Sequence, residues 1–398
     1  MNKMKAYFDY AATTPVDKRV IKAMQPYFSE KFGNTASLHY WGREAALALG
    51  KARAKMAKIL EADYSNEIIF TGSATESNNM ALKGVAFANK EKGNHILISA
   101  IEHDCVMNSA YWLEERDFEI EKIPVDEKGL IDPDIVEKMI RKGTILVSVM
   151  HGNNEIGVIE PIKKIGRICH KKNVLFHTDA AQTFGKMAVK VNKLPADLLT
   201  ASSHKIYGPK GAALLYIRRR TKITPLFHGG GHEFGRRSST VNVSAIVGFA
   251  KAAEIAYKGR RKESYRLGKM RDRIINQILH NIAKSFLNGP KNNRLCNNIS
   301  LGFNGVEGEA LTMRLNNEDI AVSTGSACAS QSLSEDCFNQ ALNLEASHVL
   351  KAIDLPAGKQ STVIRISLGR FTTDDEVDYL LEILPKVVAD LRKISPIK

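Results

Sequence analysis

The chain has 398 residues, 44% of them apolar and 25% charged, with a formal net charge of +14. That length exceeds what one hydrophobic core usually supports and predicts two domains. No apolar run reaches the ~18 residues of a membrane span, and Asp9 interrupts the start of the chain before a signal segment could form, so a protein of the cytoplasm, or of an organelle in mature form, without membrane contact is expected.

In chain order, AYFDYAATTPV at residues 6–16 sets aromatics and an acid before a small-residue turn. FGNTASLHYWGREA then places Asn34 in a loop before a helix carrying Arg43 and Glu44, with apolar positions at helical spacing up to Leu60. A short strand, Ile68–Phe70, runs into Thr71–Thr75, and a helix opens at Glu76. Small and hydroxyl residues at such a junction leave backbone N–H groups for a phosphate, or simply cap the helix. HILISAIEHDC repeats the design, with strand Ile96–Ser99 followed by Glu102 and His103. TILVSVMHGNNEIG repeats it again, placing His151, Asn153 and Asn154 beyond strand Ile145–Val149. Helical segments such as Met107–Arg116 and Pro133–Arg141 lie between them. The alternation predicts a mostly parallel sheet with right-handed crossovers, whose site lies beyond the carboxyl ends of the strands.

Two later stretches sharpen this. VLFHTDAAQ (174–182) delivers Asp179 to a strand end, with Gln182 three residues on. LLTASSHKIYGPKG (198–211) carries a strand into Ser202, Ser203, His204 and Lys205. Alone, a lysine in a turn is a surface residue. Paired with a strand-end acid, it suits an aldehyde cofactor, with the amine forming a Schiff base and neighbouring groups holding a phosphate. Pyridoxal phosphate needs such an acid against its pyridinium nitrogen. By this count Thr75, His103, Asn154, Asp179 and Lys205 share one sheet edge.

Strand Ala212–Ile217 closes the run. The glycine-rich FHGGGHEFGRRSSTVN ends in Arg236–Thr240, and helical segments continue to about Ile282. Strands Asn298–Gly302, Ile320–Ser323 and Val363–Leu368 then mark a second region. The expected division is a large domain over 15–260 and a smaller α+β domain over 261–398, with residues 1–14 packing on the latter. The five cysteines (Cys105, Cys169, Cys296, Cys328, Cys337) have no metal-ligand spacing, which predicts reduced thiols and no resident metal. Cys328 differs from the rest in sitting among Ser, Gly and Ala, in the setting of an accessible nucleophile. The basic run Lys258–Arg273 reads as a solvated helix face, or as an attraction for an acidic protein partner, rather than a nucleic-acid surface.

From YFDYAATTPV through FTGSATESNN, MHGNNEIGVIEP, FHTDAAQ, SSHKIYGPKG and GGGHE to STGSACAS and IRISLGRFTT, the chain resembles the cysteine desulfurases, class V members of the fold-type I pyridoxal-phosphate enzymes. The resemblance implies an α/β fold with a mostly parallel seven-stranded sheet and a smaller C-terminal domain. It implies Lys205 as cofactor lysine and proton shuttle, Asp179 at the pyridinium, and Gln182 at the phenolic oxygen. His103 would stack on the ring as acid and base. Ala74, Thr75, Ser202, Ser203 and His204 would hold the phosphate, joined by Thr240 from the second subunit of a homodimer. Asn34, Asn154 and Arg365 would bind the substrate carboxylate or its surroundings. Cys328 would take sulfur from L-cysteine as a persulfide, leaving L-alanine, and pass it to an acceptor protein such as an iron–sulfur scaffold. A transient iron–sulfur ligand is a further role open to Cys328.

Four departures stand out. T-G-S-A-T-E replaces the usual T-S-G-A-T-E, and Ser239 replaces a usual Gly. The segment after Cys328 is about ten residues longer than usual, and the chain stops at SPIK without the longer tail many members carry. The added segment contains Cys337, either a second station for the sulfur or a small apolar group beside Phe338 and Leu342. Competing readings are a selenocysteine lyase, a class V aminotransferase, which needs no nucleophilic thiol, and a non-catalytic interaction protein.

Overall fold

The computed structural model of the protein describes residues 4–324 and 347–395; Cys328 and Cys337 lie outside them. β1 (Ala6–Tyr7) leads through the helices Lys18–Met24 and Tyr40–Leu60 into a seven-stranded sheet. Its strands are β2 (Ile68–Thr71), β3 (His95–Ser99), β4 (Glu119–Ile123), β5 (Thr144–Ser148), β6 (Leu175–Asp179), β7 (Leu198–Ser202) and β8 (Ala213–Ile217). They lie in the order β2-β8-β7-β6-β5-β3-β4. β8 runs antiparallel to both neighbours, while the remaining pairs are parallel. The connection Ser203–Ala212 is too short to carry a crossover helix, so the chain must return antiparallel there. β8 therefore does not close the sheet's edge but lies between β2 and β7.

Helices cover both faces. Tyr40–Leu60 and the first half of Val243–Asn281 pack on one side, and Ala74–Ala88 with Asp104–Glu114 on the other. Burial on both faces explains why β2, β3 and β5 are continuously buried rather than alternating. The edge strand β4, E-I-E-K-I, is mostly solvent-facing, and its charges hide it from a search for apolar runs.

The C-terminal part adds β9 (Ser285–Leu287), β10 (Asn298–Phe303), β11 (Ile320–Ala321), β12 (Ser323–Thr324) and β13 (Val363–Ser367). Four of these form an antiparallel sheet in the order β12-β13-β10-β9, and β11 pairs in parallel with β1. The expected strand Ile320–Ser323 is thus split at Val322 between two partners. Phe8 joins Leu267, Ile274, Ile366 and Leu380 in the core of this part. The helix Val243–Asn281, 39 residues and about 58 Å long, serves both cores. In its basic run Arg266 donates to the carbonyls of Gly369, Arg370 and Thr372, and Arg271 to those of Arg294 and Leu295. Lys258, Arg261 and Lys262 remain exposed. Among the described residues no helix is long and apolar enough to cross a membrane.

Candidate active site

The parallel strands converge on one edge. Asp179, the last residue of β6, is buried and accepts from Asn78 Nδ2 at 2.6 Å and from the Ala181 N–H at 2.8 Å. Asn78 comes from the helix Ala74–Ala88, which follows β2. His103 caps the helix Asp104–Glu114, its Nδ1 accepting from the Cys105 N–H at 3.2 Å.

Lys205 lies in the turn after β7. Its Nζ donates to the carbonyls of Ala11 (2.6 Å) and Ala12 (2.7 Å), and Gln182 Nε2 donates to Ala11 O at 3.0 Å. The small-residue turn read in YFDYAATTPV therefore supplies the carbonyls that hold the amine. Thr14 Oγ1 fixes the same turn by donating to His204 O at 2.8 Å. Burial first, then the charges of Lys205, Lys210 and Lys186, hold His204 down to about 4, so the ring is neutral; its Nδ1 lies 3.1 Å from Thr13 Oγ1.

Beside this turn an open pocket of about 310 Å³ is lined by Thr13, Gly72, Ser73, Ser202, His204 and Gly211, among others. Gly72 and Ser73 in its lining lead directly into the helix Ala74–Ala88, and a helix N-terminus is an end that suits a phosphate. The helix starts at Ala74 rather than Glu76, because Ser73 caps it by accepting from the Glu76 N–H at 3.1 Å. The Gly72–Ser73 order thus supplies the cap residue. Thr75 is exposed in the first turn. Ser203 is buried with its Oγ against Gly208, where an added Cβ would come within 2.1 Å. A strand-end acid, an amine in a turn and a hydroxyl-lined pocket at a helix N-terminus are the donor set pyridoxal phosphate requires.

The glycine-rich loop reaches this helix too, for Arg237 Nε donates to Glu76 Oε1 at 2.7 Å. Glu233 anchors the loop through a buried pair with Arg53, at 2.6 and 2.7 Å, and accepts from the Phe70 N–H. Thr240 is exposed. Ser239 has φ 159°, a positive φ that side-chain-bearing residues rarely adopt, so the serine stands where a glycine would be less strained.

Arg365, in β13, is buried and donates to Asp9 Oδ1 at 2.8 Å, Ser323 Oγ at 3.3 Å and Asn154 O at 3.3 Å, while its Nε has no partner among the described residues. Asn154 and Arg365 are thus brought together. Asn34 is exposed, with Oδ1 accepting from the Ala36 N–H at 3.0 Å in its own turn. The described chain resumes at Ser347, whose Oγ donates to Glu155 Oε2 at 2.6 Å; burial raises Glu155 to about 7.

Beneath Asp179 lies a polar layer that strand-end reasoning misses. Ser148 Oγ donates to Glu102 Oε1 at 3.2 Å and sits 2.9 Å from His177 Nδ1, whose Nε2 is 3.3 Å from Thr200 Oγ1. Burial pushes His177 down to about 3 and keeps it neutral. Burial, aided by the Asp179 charge, raises Glu102 to about 8 and keeps it protonated. A histidine inside the buried strand L-F-H-T-D is the available signal.

Fold and site together define a pyridoxal-phosphate enzyme of fold type I. The family described as Aminotransferase class-V matches residues 6–380. The chain is 48% identical over 396 residues to "Cysteine desulfurase IscS" of Dictyoglomus turgidum, covering 100% of this chain and 98% of that one. Among solved structures, a "NifS-like protein" has a TM-score of 0.89 at 37% identity, covering 97% of this chain and 100% of that one. "SspA in complex with cysteine" has a TM-score of 0.79 at 35% identity, covering 93% and 100%. The chain belongs to the cysteine desulfurase family within the class V enzymes.

Proposed function

We propose that this protein is a cysteine desulfurase that removes sulfur from L-cysteine, leaves L-alanine and carries the sulfur as a persulfide on Cys328. The observation that carries this reading is that the neighbouring parallel strands β6 and β7 deliver Asp179 and Lys205 to one sheet edge, with a pocket lined by Thr13, Ser73 and Ser202 beside the Lys205 turn. Bound pyridoxal phosphate supplies an electron sink for the substrate's α-carbon. Lys205 would hold the cofactor and move a proton at the substrate's α-carbon. Asp179, oriented by Asn78, would keep the cofactor's ring nitrogen protonated, and His103 would serve the ring as acid and base. Ala74, Thr75, Ser202 and His204 would hold the phosphate. Arg365, whose Nε has no partner among the described residues, and Asn154 would receive the substrate carboxylate. The Cys328 thiolate takes the sulfur.

The working unit is a homodimer, with Thr240 completing the partner's phosphate site. Exposed apolar residues on the N-terminal elements support it: Leu38 is 90% exposed, Phe32 66%, Phe28 65%, Leu47 65% and Tyr40 64%. The sulfur passes to an acceptor protein for iron–sulfur cluster assembly in the cytoplasm. The test is incubation of the pure protein with L-cysteine and a thiol reductant, assaying alanine and sulfide together. Equal amounts of the two are expected from the native protein, and none from Cys328→Ser. Alanine without sulfide, or full sulfide release by Cys328→Ser, overturns the reading.

A further inference from the structure

Cys105 lies in the first turn of the helix Asp104–Glu114, two residues after His103. Its backbone N–H donates to His103 Nδ1 at 3.2 Å, and its Sγ lies 3.2 Å from the same nitrogen. On the other side Sγ accepts from Asn78 Nδ2 at 3.1 Å. The same amide nitrogen of fully buried Asn78 donates to Asp179 Oδ2 at 2.6 Å. One line of contacts therefore runs from the strand-end acid to the helix-capping imidazole.

The polarity of that line follows from its acidic end. A carboxylate only accepts, so the amide nitrogen of Asn78 must face Asp179; the opposite orientation would set Oδ1 against a negative charge. The two hydrogens on Nδ2 then go one to Asp179 and one to Sγ. With Sγ accepting from Asn78, the thiol hydrogen points to His103 Nδ1. The backbone N–H of Cys105 converges on the same nitrogen, which leaves Nδ1 as acceptor and places the ring proton of neutral His103 on Nε2. An alanine at position 105 would keep the backbone donor but break the line between Asn78 and the ring.

We propose that Cys105 is a positioning residue: its backbone N–H holds His103 as the Nε2–H tautomer, and its thiol ties the orientation of that ring to Asp179 through Asn78. The inference rests on the assignment of Asp179 and His103 to the cofactor. The thiol itself forms no bond to sulfur or substrate. It serves as a two-sided link, accepting from an amide and donating to an imidazole, and a hydroxyl can do the same.

The test uses holoenzyme labelled with ¹⁵N-histidine. Long-range proton–nitrogen NMR reads which ring nitrogen carries hydrogen, and His103 is assigned by its disappearance in His103→Gln. The native enzyme is expected to show an unprotonated Nδ1 and a protonated Nε2. Cys105→Ala keeps the backbone donor and with it the Nε2–H tautomer, but should shift the His103 ring-nitrogen resonances as the ring loses its tie to Asn78, and lower kcat about fivefold, the worth of one ordinary hydrogen bond, with KM for L-cysteine within about twofold. Cys105→Ser should restore both the NMR pattern and kcat. If Cys105→Ala keeps the native pattern and kcat, or loses only thermal stability, Cys105 is a packing residue and the proposal is wrong. The visible absorbance of bound cofactor, recorded on every sample, separates this from failure of the site assignment. A native protein that binds no pyridoxal phosphate would refute that assignment instead.

Discussion

Strands β6 and β7 deliver Asp179 and Lys205 to the candidate site at or just past their ends, whereas β13 delivers Arg365 from its middle. In the parallel sheet, strands that point the same way finish at one edge, so every strand-end motif is a candidate for one site. In the antiparallel sheet, neighbours finish at opposite edges, and position depends on which face a side chain takes. Arg365 reaches Asp9 and Asn154 through its side chain, across from Ser323 on β12. Chemistry that needs several groups at one point is therefore assembled by the parallel sheet, and the antiparallel sheet contributes a single long side chain.

The largest effect falls on the parallel edge. Lys205→Ala should abolish both sulfide release and the visible absorbance of lysine-bound cofactor, read by spectrophotometry and a sulfide assay. A variant that kept either would break the strand-end account. A smaller effect falls on the antiparallel contribution. Arg365→Ala should raise KM for L-cysteine about 10- to 100-fold, the worth of a charged hydrogen bond, while cofactor absorbance persists. Loss of the cofactor in that variant would place Arg365 at the wrong end of the ligand.

The third effect concerns the layer beneath the edge and falls on stability rather than turnover. Glu102, raised to about 8 by burial and then by Asp179, keeps its proton in the folded state at pH values where the unfolded chain has lost it. Its contribution is complete below the unfolded value of 4.5 and is lost as pH rises through about 8. Native unfolding free energy relative to Glu102→Gln should then fall by roughly 1 kcal/mol per pH unit from about pH 5 to 8, measured by urea denaturation. A pH-independent difference would mean that Glu102 is ionised in the fold.

The same contrast explains what the sequence reveals. β2, β3 and β5 are legible because burial on both faces makes them continuous apolar runs, and β6 and β7 because they open on apolar residues and lead into polar motifs. β4 is hidden by its exposed charges, and β9 by its three-residue length. Asp179 and Lys205 stand at strand ends and are readable as chemistry. Asn78 is not, because a buried asparagine within a helix becomes meaningful only once the helix is docked over β6. The carbonyls of Ala11 and Ala12 that hold Lys205 are invisible for the same reason: they belong to backbone some two hundred residues away in the chain.

The most direct test of the central claim, that the edge beyond β6 and β7 is the reactive site, is to find the lysine that carries the cofactor. Borohydride reduction fixes a lysine-bound pyridoxal group permanently to its amine, and peptide mass mapping then locates it. The account predicts the label on Lys205 alone. A label on Lys186 or Lys210, both close by, or no label on a yellow and active protein, would contradict it.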